Sequence, residues 1–286
     1  MTISRTPHSD KSTLTNCVDM NDVTVVIPVR DAASLLDECL AAVQAQGARE
    51  VIVVDGMSSD RTLEIARQYR TTILSDEGRG LPVARTLGVM KASTHWVALI
   101  DADVILPGGA LGCLLAECVE VGYDALQAGL LSTAGPGYWG QALVAHHRSG
   151  LSKNWFGVVA TMMDRQVLLR HGFDPQFLSG EDIELRWRLK SAGVRIGVSS
   201  RTVVEHRFAG DDFGFARDQF LADGRGLARL VHKRGLPAAW LIGLPLAACL
   251  RGVAVSLAKG EPKWIPYYLS YMVGNYAGML PELRYL

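Results

Sequence analysis

The stretch VTVVIPVRDAASLLDECLAAVQAQGAREVIVVDG, residues 23–56, decides the fold class of this chain. It begins and ends with continuous runs of β-branched residues, Val23–Val29 and Glu50–Gly56, the pattern of strands buried on both faces. Between them, Ser34–Gln46 carries apolar residues at helical spacing, and Ser34 is a candidate N-cap. A strand, a helix and a second strand in this order predict a parallel sheet with helices on its faces.

The alternation of strands and helices continues downstream. It predicts a helix in SSDRTLEIARQYR, a short strand in TTIL, a helix in LPVARTLGVMKA and a strand in HWVALIDAD. The three long strands end in acids: Asp31 follows the first, Asp55 closes the second, and Asp101 and Asp103 close the last. Because ligands of open parallel sheets bind beyond the carboxyl ends of the strands, we expect these acids to surround a ligand.

Composition limits the classes of function. A chain of 286 residues with 49% hydrophobic content can bury a large core, as one domain or as one domain with an appendage. Its 29 basic and 29 acidic residues cancel, and the absence of a long basic run argues against a nucleic-acid partner. No CxxC pair offers a zinc site, so reduced thiols in the cytoplasm are expected for the cysteines, Cys17, Cys39, Cys113, Cys118 and Cys249.

The pair Asp101 and Asp103 places two like charges close together. If a strand continues from Val97 to Val104, both carboxylates face one side, roughly 6 to 7 Å apart, and their repulsion costs on the order of 2 kcal/mol. A divalent cation, Mn or Mg, would turn this repulsion into binding, whereas the alternative is a solvated strand end. Neither GxGxxG after the first strand nor a P-loop is present, so a different nucleotide-binding α/β fold is needed.

Four motifs follow one another in a fixed order: VTVVIPVRD, EVIVVDGMSSDRT, EGRGLPVARTLGV and DAD. A longer segment, GVVATMMDRQVLLRHGFDPQFLSGEDIELRWRLKSAG, comes after them. Together, from about Val23 to Val231, they resemble the family 2 inverting glycosyltransferases of GT-A fold. The resemblance implies a mostly parallel central sheet flanked by helices, a nucleotide-diphosphate sugar donor, a divalent cation, and inversion at the anomeric carbon.

The resemblance also implies roles on the donor side. Asp55 would hydrogen-bond the donor base, Arg85 would assist at the base or the phosphates, and Asp101 would contact the ribose or the metal shell. The same segment of the family pattern makes Pro28 and Asp31 donor-binding. Taken alone, the residues leave two other interpretations open: Asp55 caps the next helix, and Arg85 pairs with a surface acid.

On the acceptor side, the resemblance makes Asp182 the general base that removes a proton from the attacking hydroxyl. Glu181 and Trp187 would lie beside the acceptor. The alternative is that Glu181 and Asp182 only complement the dipole of the helix that follows them. The metal ligands implied are Asp103, bound directly, and His206, which completes the shell unless it is an ordinary strand-end histidine.

The last part of the chain is apolar. Leu236–Ala258 is long enough to span a bilayer, but Pro237, Pro245 and Arg251 interrupt it, which leaves a spanning helix, an interfacial helix and a hairpin open. The next segment, Trp264–Leu280, is rich in aromatic residues, as headgroup-level segments often are.

Two arginines precede this apolar part. Arg225 and Arg229 are candidates for holding anionic lipid headgroups or the donor diphosphate. We therefore expect a cytoplasmic protein that is peripheral on, or anchored to, the inner face of the cell membrane. If it is not, the apolar segment is an interface for a homo-oligomer.

These features predict a division of the chain into a flexible tail (1–21), a nucleotide-sugar-binding half (22–104), an acceptor-binding and catalytic half (105–235) and a membrane-associating segment (236–286). The QxxRW motif of processive synthases is absent, so one sugar is expected to pass to a lipid-linked or cell-envelope glycan acceptor per encounter. Two alternatives are weighed. A sugar nucleotidyltransferase would open with a glycine-rich loop, which VIPVRDAAS lacks, and an inactive scaffold would not need Asp103 and Asp182.

Overall fold

A computed structural model describes residues 19–149 and 156–283. Within these residues the chain forms one mixed sheet, whose strands are β1 (Val23–Val29), β2 (Glu50–Asp55), β3 (Thr72–Ser75), β4 (Trp96–Ile100), β5 (Val104–Ile105), β6 (Ala125–Thr133), β7 (Ala160–Asp164) and β8 (Ile196–Arg207). Their spatial order is β3-β2-β1-β4-β7-β6-β8-β5.

The helices alternate with these strands and then continue beyond them. They are α1 (Leu36–Gln44), α2 (Thr62–Ala66), α3 (Leu81–Lys91), α4 (Ala110–Val121), α5 (Tyr138–Arg148), α6 (Arg165–His171), α7 (Glu181–Ser191), α8 (Phe213–Arg234), α9 (Leu244–Ala258) and α10 (Ile265–Leu283). Short 3-10 segments cover Met20–Asp22, Leu236–Gly243 and Pro262–Trp264.

The predicted α/β fold is confirmed, with a parallel part where the sequence indicated it. Strands β3, β2, β1 and β4 run parallel to one another. Strand β7 is antiparallel to β4 and β6, and β8 is parallel to β6 but antiparallel to β5, so the whole sheet is mixed. Val29 pairs with Asp55 in this register, which brings the ends of β1 and β2 together.

Two local predictions are wrong. Strand β4 ends at Ile100, not at Val104, because the chain turns there and the Val104 N–H donates to the Asp101 carbonyl at 3.1 Å. Asp101 and Asp103 therefore lie in a turn and not on one face of a strand. Helix α1 begins at Leu36 and has no side-chain cap, so Ser34 is not its N-cap. The Ala32 carbonyl instead accepts the N–H groups of Leu35 and Leu36.

Each face of the sheet packs against its own helices. One face buries Val25, Ile27 and Val53 against α1 and α4, where Leu40 and Leu111 are fully buried. The other face packs against α3, α6 and α7. The parallel strands are thus covered on both sides, which is why their sequences are continuously apolar.

Helices α5, α8, α9 and α10 form a further layer with its own core. Gly252 of α9 lies against the Tyr268 ring of α10, so close that a Cβ there would be 2.1 Å from the ring. Arg251 turns inward and donates to the Ser149 carbonyl at 3.0 Å. Among the described residues, one helical stretch, Leu236–Ala258, is long and apolar enough to cross a membrane; its mean hydropathy is 1.9 and 28% of it is buried.

Candidate active site

Arg85 joins the two acidic motifs of the chain. From the second turn of α3, its guanidinium donates to Glu181 Oε1 at 2.6 Å and to Asp101 Oδ1 at 2.7 Å. Burial alone would lower the pKa of Arg85, but the charges of Asp101 and Glu181 raise it, so the group stays cationic. The two hydrogen bonds of Arg85 form a bridge from Asp101 to Glu181, and this bridge fixes the first turn of α7 beside the turn that follows β4. Arg85 is 2% exposed, and it therefore does not pair with a surface acid.

Asp182 lies in the first turn of α7, half-buried, next to the bridge. Gly180 precedes it with a φ of 75°, a left-handed conformation that suits glycine and starts the helix sharply. A Cβ on Gly157 would lie 3.2 Å from Asp182 Oδ2. Burial, and next the charge of Glu181, raise the pKa of Asp182 to about 6, so this carboxylate is ionised yet proton-accepting near neutral pH.

Asp103 and His206 face each other because β5 pairs with β8, with Val104 opposite His206. His206 Nε2 lies 3.2 Å from Asp103 Oδ2. Burial would lower the pKa of His206, but the hydrogen bond and the charge of Asp103 raise it. Asp103 Oδ1 and His206 Nδ1 are buried with no hydrogen-bond partner among the described residues.

Asp103 and His206 together offer a metal ion one carboxylate ligand and one imidazole ligand. The described residues contain no group of three or more His, Cys, Asp or Glu side chains that could hold a metal ion by themselves. Mg and similar cations are often held by one or two protein ligands together with substrate phosphates. The orphaned Asp103 Oδ1 fits a divalent cation of that kind.

A pocket of about 410 Å³ lies at the carboxyl ends of β1 and β2, against the start of α3. Pro28, Gly56 and Ala84 line it, and Arg30 and Arg79 border it. Asp55 adjoins the pocket through Gly56; it is 5% exposed and accepts the Ser58 N–H at 3.3 Å. Helix α2 begins only at Thr62, so Asp55 does not cap it.

Sequence reasoning missed Asp76, which also lines this pocket. Its carboxylate accepts the N–H groups of Gly78 and Gly80 at 2.8 and 2.9 Å, which shapes the loop before α3. The signal was present, because an acid after the third strand repeats the pattern of the other strands.

Four predicted site residues lie apart from these contacts. Asp31, with a φ of 48°, accepts the N–H and hydroxyl of Ser59, so its carboxylate shapes a loop. Trp187 lies under the Arg234 guanidinium, 5.4 Å from the ring centre. Arg229 donates to Glu282 and to the Gln176 carbonyl, and Arg225 is exposed.

Asp223 of α8 is a further acid that sequence reasoning missed. Helix α8 approaches the start of α7 through Gly226, where a Cβ would be 2.7 Å from the Ser179 carbonyl. Burial, and next the charges of Asp182 and Glu181, raise the pKa of Asp223 to about 7. No sequence signal marked this residue, because only the packing of α8 on α7 brings it to the site.

Part of this chain matches a family of known proteins. Residues 24–157 match the family model described as "Glycosyl transferase family 2", a range that includes Asp55, Arg85, Asp101 and Asp103. Over these residues the chain is similar to the family 2 glycosyltransferases. The predicted resemblance to that family is confirmed for this part of the chain, and both acids of the DAD motif fall within the matched residues.

Curated relatives of this chain include a named glycosyltransferase and a named biosynthesis protein. The Pre-mycofactocin glycosyltransferase of Mycobacterium tuberculosis is 28% identical over 201 residues, which cover 65% of this chain and 42% of the relative. The Succinoglycan biosynthesis protein ExoA of Rhizobium meliloti is 27% identical over 202 residues, covering 62% of this chain and 61% of the relative. The chain thus spans about half the length of these relatives.

The fold also has solved counterparts. The mannosyltransferase PcManGT from Pyrobaculum calidifontis, solved in complex with GDP-Man and Mn²⁺, matches with a TM-score of 0.63 at 20% identity. The match covers 91% of this chain and 87% of that one. The predicted GT-A glycosyltransferase fold is confirmed by this similarity.

Proposed function

We propose that this protein is a non-processive inverting glycosyltransferase that moves one sugar from a nucleotide-diphosphate sugar to an acceptor hydroxyl. The observation that carries the proposal is the buried bridge from Asp101 through Arg85 to Glu181. It holds the general-base candidate Asp182 beside the DAD turn. The similarity to the family 2 glycosyltransferases supports the nucleotide-sugar donor.

In this mechanism Asp182 accepts the proton of the acceptor hydroxyl while the hydroxyl oxygen attacks the anomeric carbon. The bond between that carbon and the diphosphate oxygen breaks, and its electron pair leaves with the nucleoside diphosphate. A single displacement of this kind inverts the anomeric configuration. The pKa of Asp182, raised to about 6, suits a base that works near neutral pH.

The other acids and Arg85 prepare this step. Arg85 is a positioning residue, because its two terminal nitrogens are already engaged by Asp101 and Glu181. Asp103 and His206 are the side chains that would hold Mn or Mg, which would neutralise charge on the diphosphate. The Mn²⁺ in PcManGT supports a divalent cation. Asp55, beside the pocket of about 410 Å³, is the candidate contact for the donor base.

The apolar C-terminal surface supports membrane association, which this proposal places on the cytoplasmic side. Large apolar side chains are exposed along the 3-10 segment and α9, namely Leu236, Trp240, Leu246, Leu250 and Leu257. A soluble monomer rarely exposes so many neighbouring apolar groups. The acceptor in this proposal is a lipid-linked or cell-envelope glycan.

A screen of nucleotide sugars for thermal stabilisation, with and without Mn²⁺, tests the donor. Ligand bound to the native state raises the melting temperature, so one donor should give a metal-dependent shift. With that donor, we expect release of nucleoside diphosphate. Pyrophosphate release would indicate a sugar nucleotidyltransferase instead, and donor binding without turnover in the presence of acceptors would indicate a binding protein.

A further inference from the structure

A second pocket, of about 450 Å³, lies between α7 and the 3-10 segment Leu236–Gly243. Its α7 wall consists of Ile183, Arg186, Trp187 and Lys190, and its other wall of Trp240 and Leu241. Two tryptophans and two aliphatic side chains thus meet two cationic groups in one depression. We refer to it as the α7 pocket.

The charge of the α7 pocket is positive. Arg186 and Lys190 line it, and no acidic side chain does. Outside this lining, the Arg234 guanidinium lies 5.4 Å from the centre of the Trp187 ring and pairs with Glu184 at 3.8 Å. A ligand that complements these side chains would carry an anionic group next to an apolar part.

The α7 pocket connects the reaction centre to the exposed apolar surface. Asp182, Arg186 and Lys190 follow one another at intervals of four residues, so they share one face of α7 over about 12 Å. Burial lowers the pKa of Arg186, and the charge of Asp182, one turn earlier on this face, acts in the opposite direction. At the other end, Trp240 is 62% exposed and Leu236 is 90% exposed.

We propose that the α7 pocket binds a lipid acceptor through its phosphate, with the phosphate at Arg186 and Lys190 and the first carbons of the hydrocarbon tail on Trp187 and Trp240. The assignment of this lipid as acceptor rests on the proposed function. Guanidinium and ammonium groups bind phosphate by charge-assisted hydrogen bonds, and tryptophan suits the boundary between polar and apolar phases. The exposed surface at Leu236 would guide the tail into the bilayer.

Decyl phosphate, used below its micellar concentration with the full chain, tests the pocket by titration calorimetry. We expect inorganic phosphate and the neutral amphiphile decyl maltoside to bind at least about tenfold more weakly. Trp240→Ser and Lys190→Gln should each weaken decyl phosphate binding by about fivefold or more. The matched controls Leu250→Ser and Lys259→Gln, on α9 and at its end, should leave this binding unchanged. Equal affinity in the pocket variants, or equal binding of decyl maltoside, would overturn the proposal.

Vesicles of phosphatidylglycerol distinguish the acceptor lipid from bulk phospholipid. We expect Lys190→Gln to sediment with these vesicles as the wild type does, and Leu250→Ser to sediment less. If Lys190→Gln loses vesicle binding as strongly as decyl phosphate binding, the pocket serves a membrane phospholipid and the acceptor assignment is wrong. If Trp240→Ser instead turns a dimer into a monomer, a second copy of the chain fills the pocket.

The donor screen separates this inference from the proposed function. Thermal stabilisation by a nucleotide sugar and Mn²⁺ should persist in Trp240→Ser, because that residue lies outside the donor pocket. A wild type that binds decyl phosphate but shows no donor-dependent shift would overturn the proposed function and the acceptor role, and would leave the lipid-phosphate site standing.

Discussion

The positive charge of Arg85 offsets the repulsion between the carboxylates of Asp101 and Glu181 in a partly desolvated site. Removing one partner of a buried ion pair costs about 3–5 kcal/mol, because the remaining charge is left uncompensated. Arg85→Met should therefore lower the free energy of unfolding by about that amount in urea denaturation. Arg61→Met is the matched control; its pair with Glu64 is 75% and 62% exposed and should be worth less than about 1 kcal/mol. Equal losses in both variants would contradict the assigned role of the bridge.

Asp182 is the residue on which the proposed chemistry depends. Asp182→Asn removes the proton acceptor but keeps the size of the side chain, so turnover should fall by about 10²- to 10⁴-fold. Donor-dependent thermal stabilisation should stay within experimental error of the wild type. In the wild type, the transfer rate should decline below about pH 6, as protonation of Asp182 removes the base. Near-normal turnover in the variant would exclude Asp182 as the base.

The raised pKa of Asp223 predicts how the stability of the protein depends on pH. The pKa of Asp223 is raised from its ordinary value of 3.8 to about 7 in the folded protein, so between these values the folded state holds a proton that the unfolded state has lost. Stability is therefore expected to fall as the pH rises from about 4 to 7. Asp223→Asn should raise the free energy of unfolding at pH 8 by on the order of 1–2 kcal/mol and change it little at pH 4, as urea denaturation at the two pH values would show. Asp218→Asn, on the exposed side of α8, should show no such pH dependence.

At the scale of the elements, glycines set how closely the C-terminal helices approach. A Cβ on Gly224 of α8 would lie 2.0 Å from the Asn275 carbonyl oxygen of α10. Because that oxygen belongs to the backbone of α10, it cannot move away without shifting the helix. A Cβ on Gly112 of α4 would have nothing within 4 Å. The same substitution in these two helices should thus have opposite effects.

Gly224→Ala should destabilise the protein by about 1–3 kcal/mol through overpacking. Gly112→Ala should stabilise it by about 0.5–1 kcal/mol, because alanine is the better helix former. Thermal unfolding of both variants checks the pair. A stabilising Gly224→Ala would mean that α8 and α10 can separate at little cost, which would weaken the case for a fixed C-terminal layer.

At the scale of the whole molecule, the C-terminal layer combines buried and exposed apolar side chains. Deleting residues 236–286 would remove Tyr267, Asn275 and Met279, which are fully buried against α8 and its neighbours, so a truncated chain would test folding and not membrane binding. Point substitutions on the exposed side avoid that problem. This distinction was not available from hydropathy, because buried and exposed apolar residues alternate along the same segment.

The triple variant Leu246→Ser, Leu250→Ser, Leu257→Ser should lose most of its flotation with liposomes while keeping the far-UV circular dichroism of the wild type. The three side chains are 45%, 63% and 59% exposed, so their removal costs little folding energy and much membrane contact. If the wild type does not float, and the variant changes from oligomer to monomer in size-exclusion chromatography, the surface is an interface between chains.

The sequence by itself determined the elements of residues 22–104 and the order of the motifs. Strand β1 covers the predicted residues, and β2 begins at the predicted Glu50 but ends at Asp55, one residue before the predicted end. These runs can be read from the sequence because strands covered on both faces must be continuously apolar. Helix α7 likewise begins at the predicted acidic pair. These are local properties, and a pattern along the chain reports them directly.

Only the tertiary structure decided how the acids are used. Arg85 and Glu181 are 96 residues apart, and nothing local indicates that they share a buried contact. The turn at Asp101 follows from the separate pairing of β5 with β8, and Asp223 reaches the site only because Gly226 lets α8 approach α7. Charge pairing and burial depend on which distant segments pack together, so their consequences for pKa and chemistry appear only once the chain is folded.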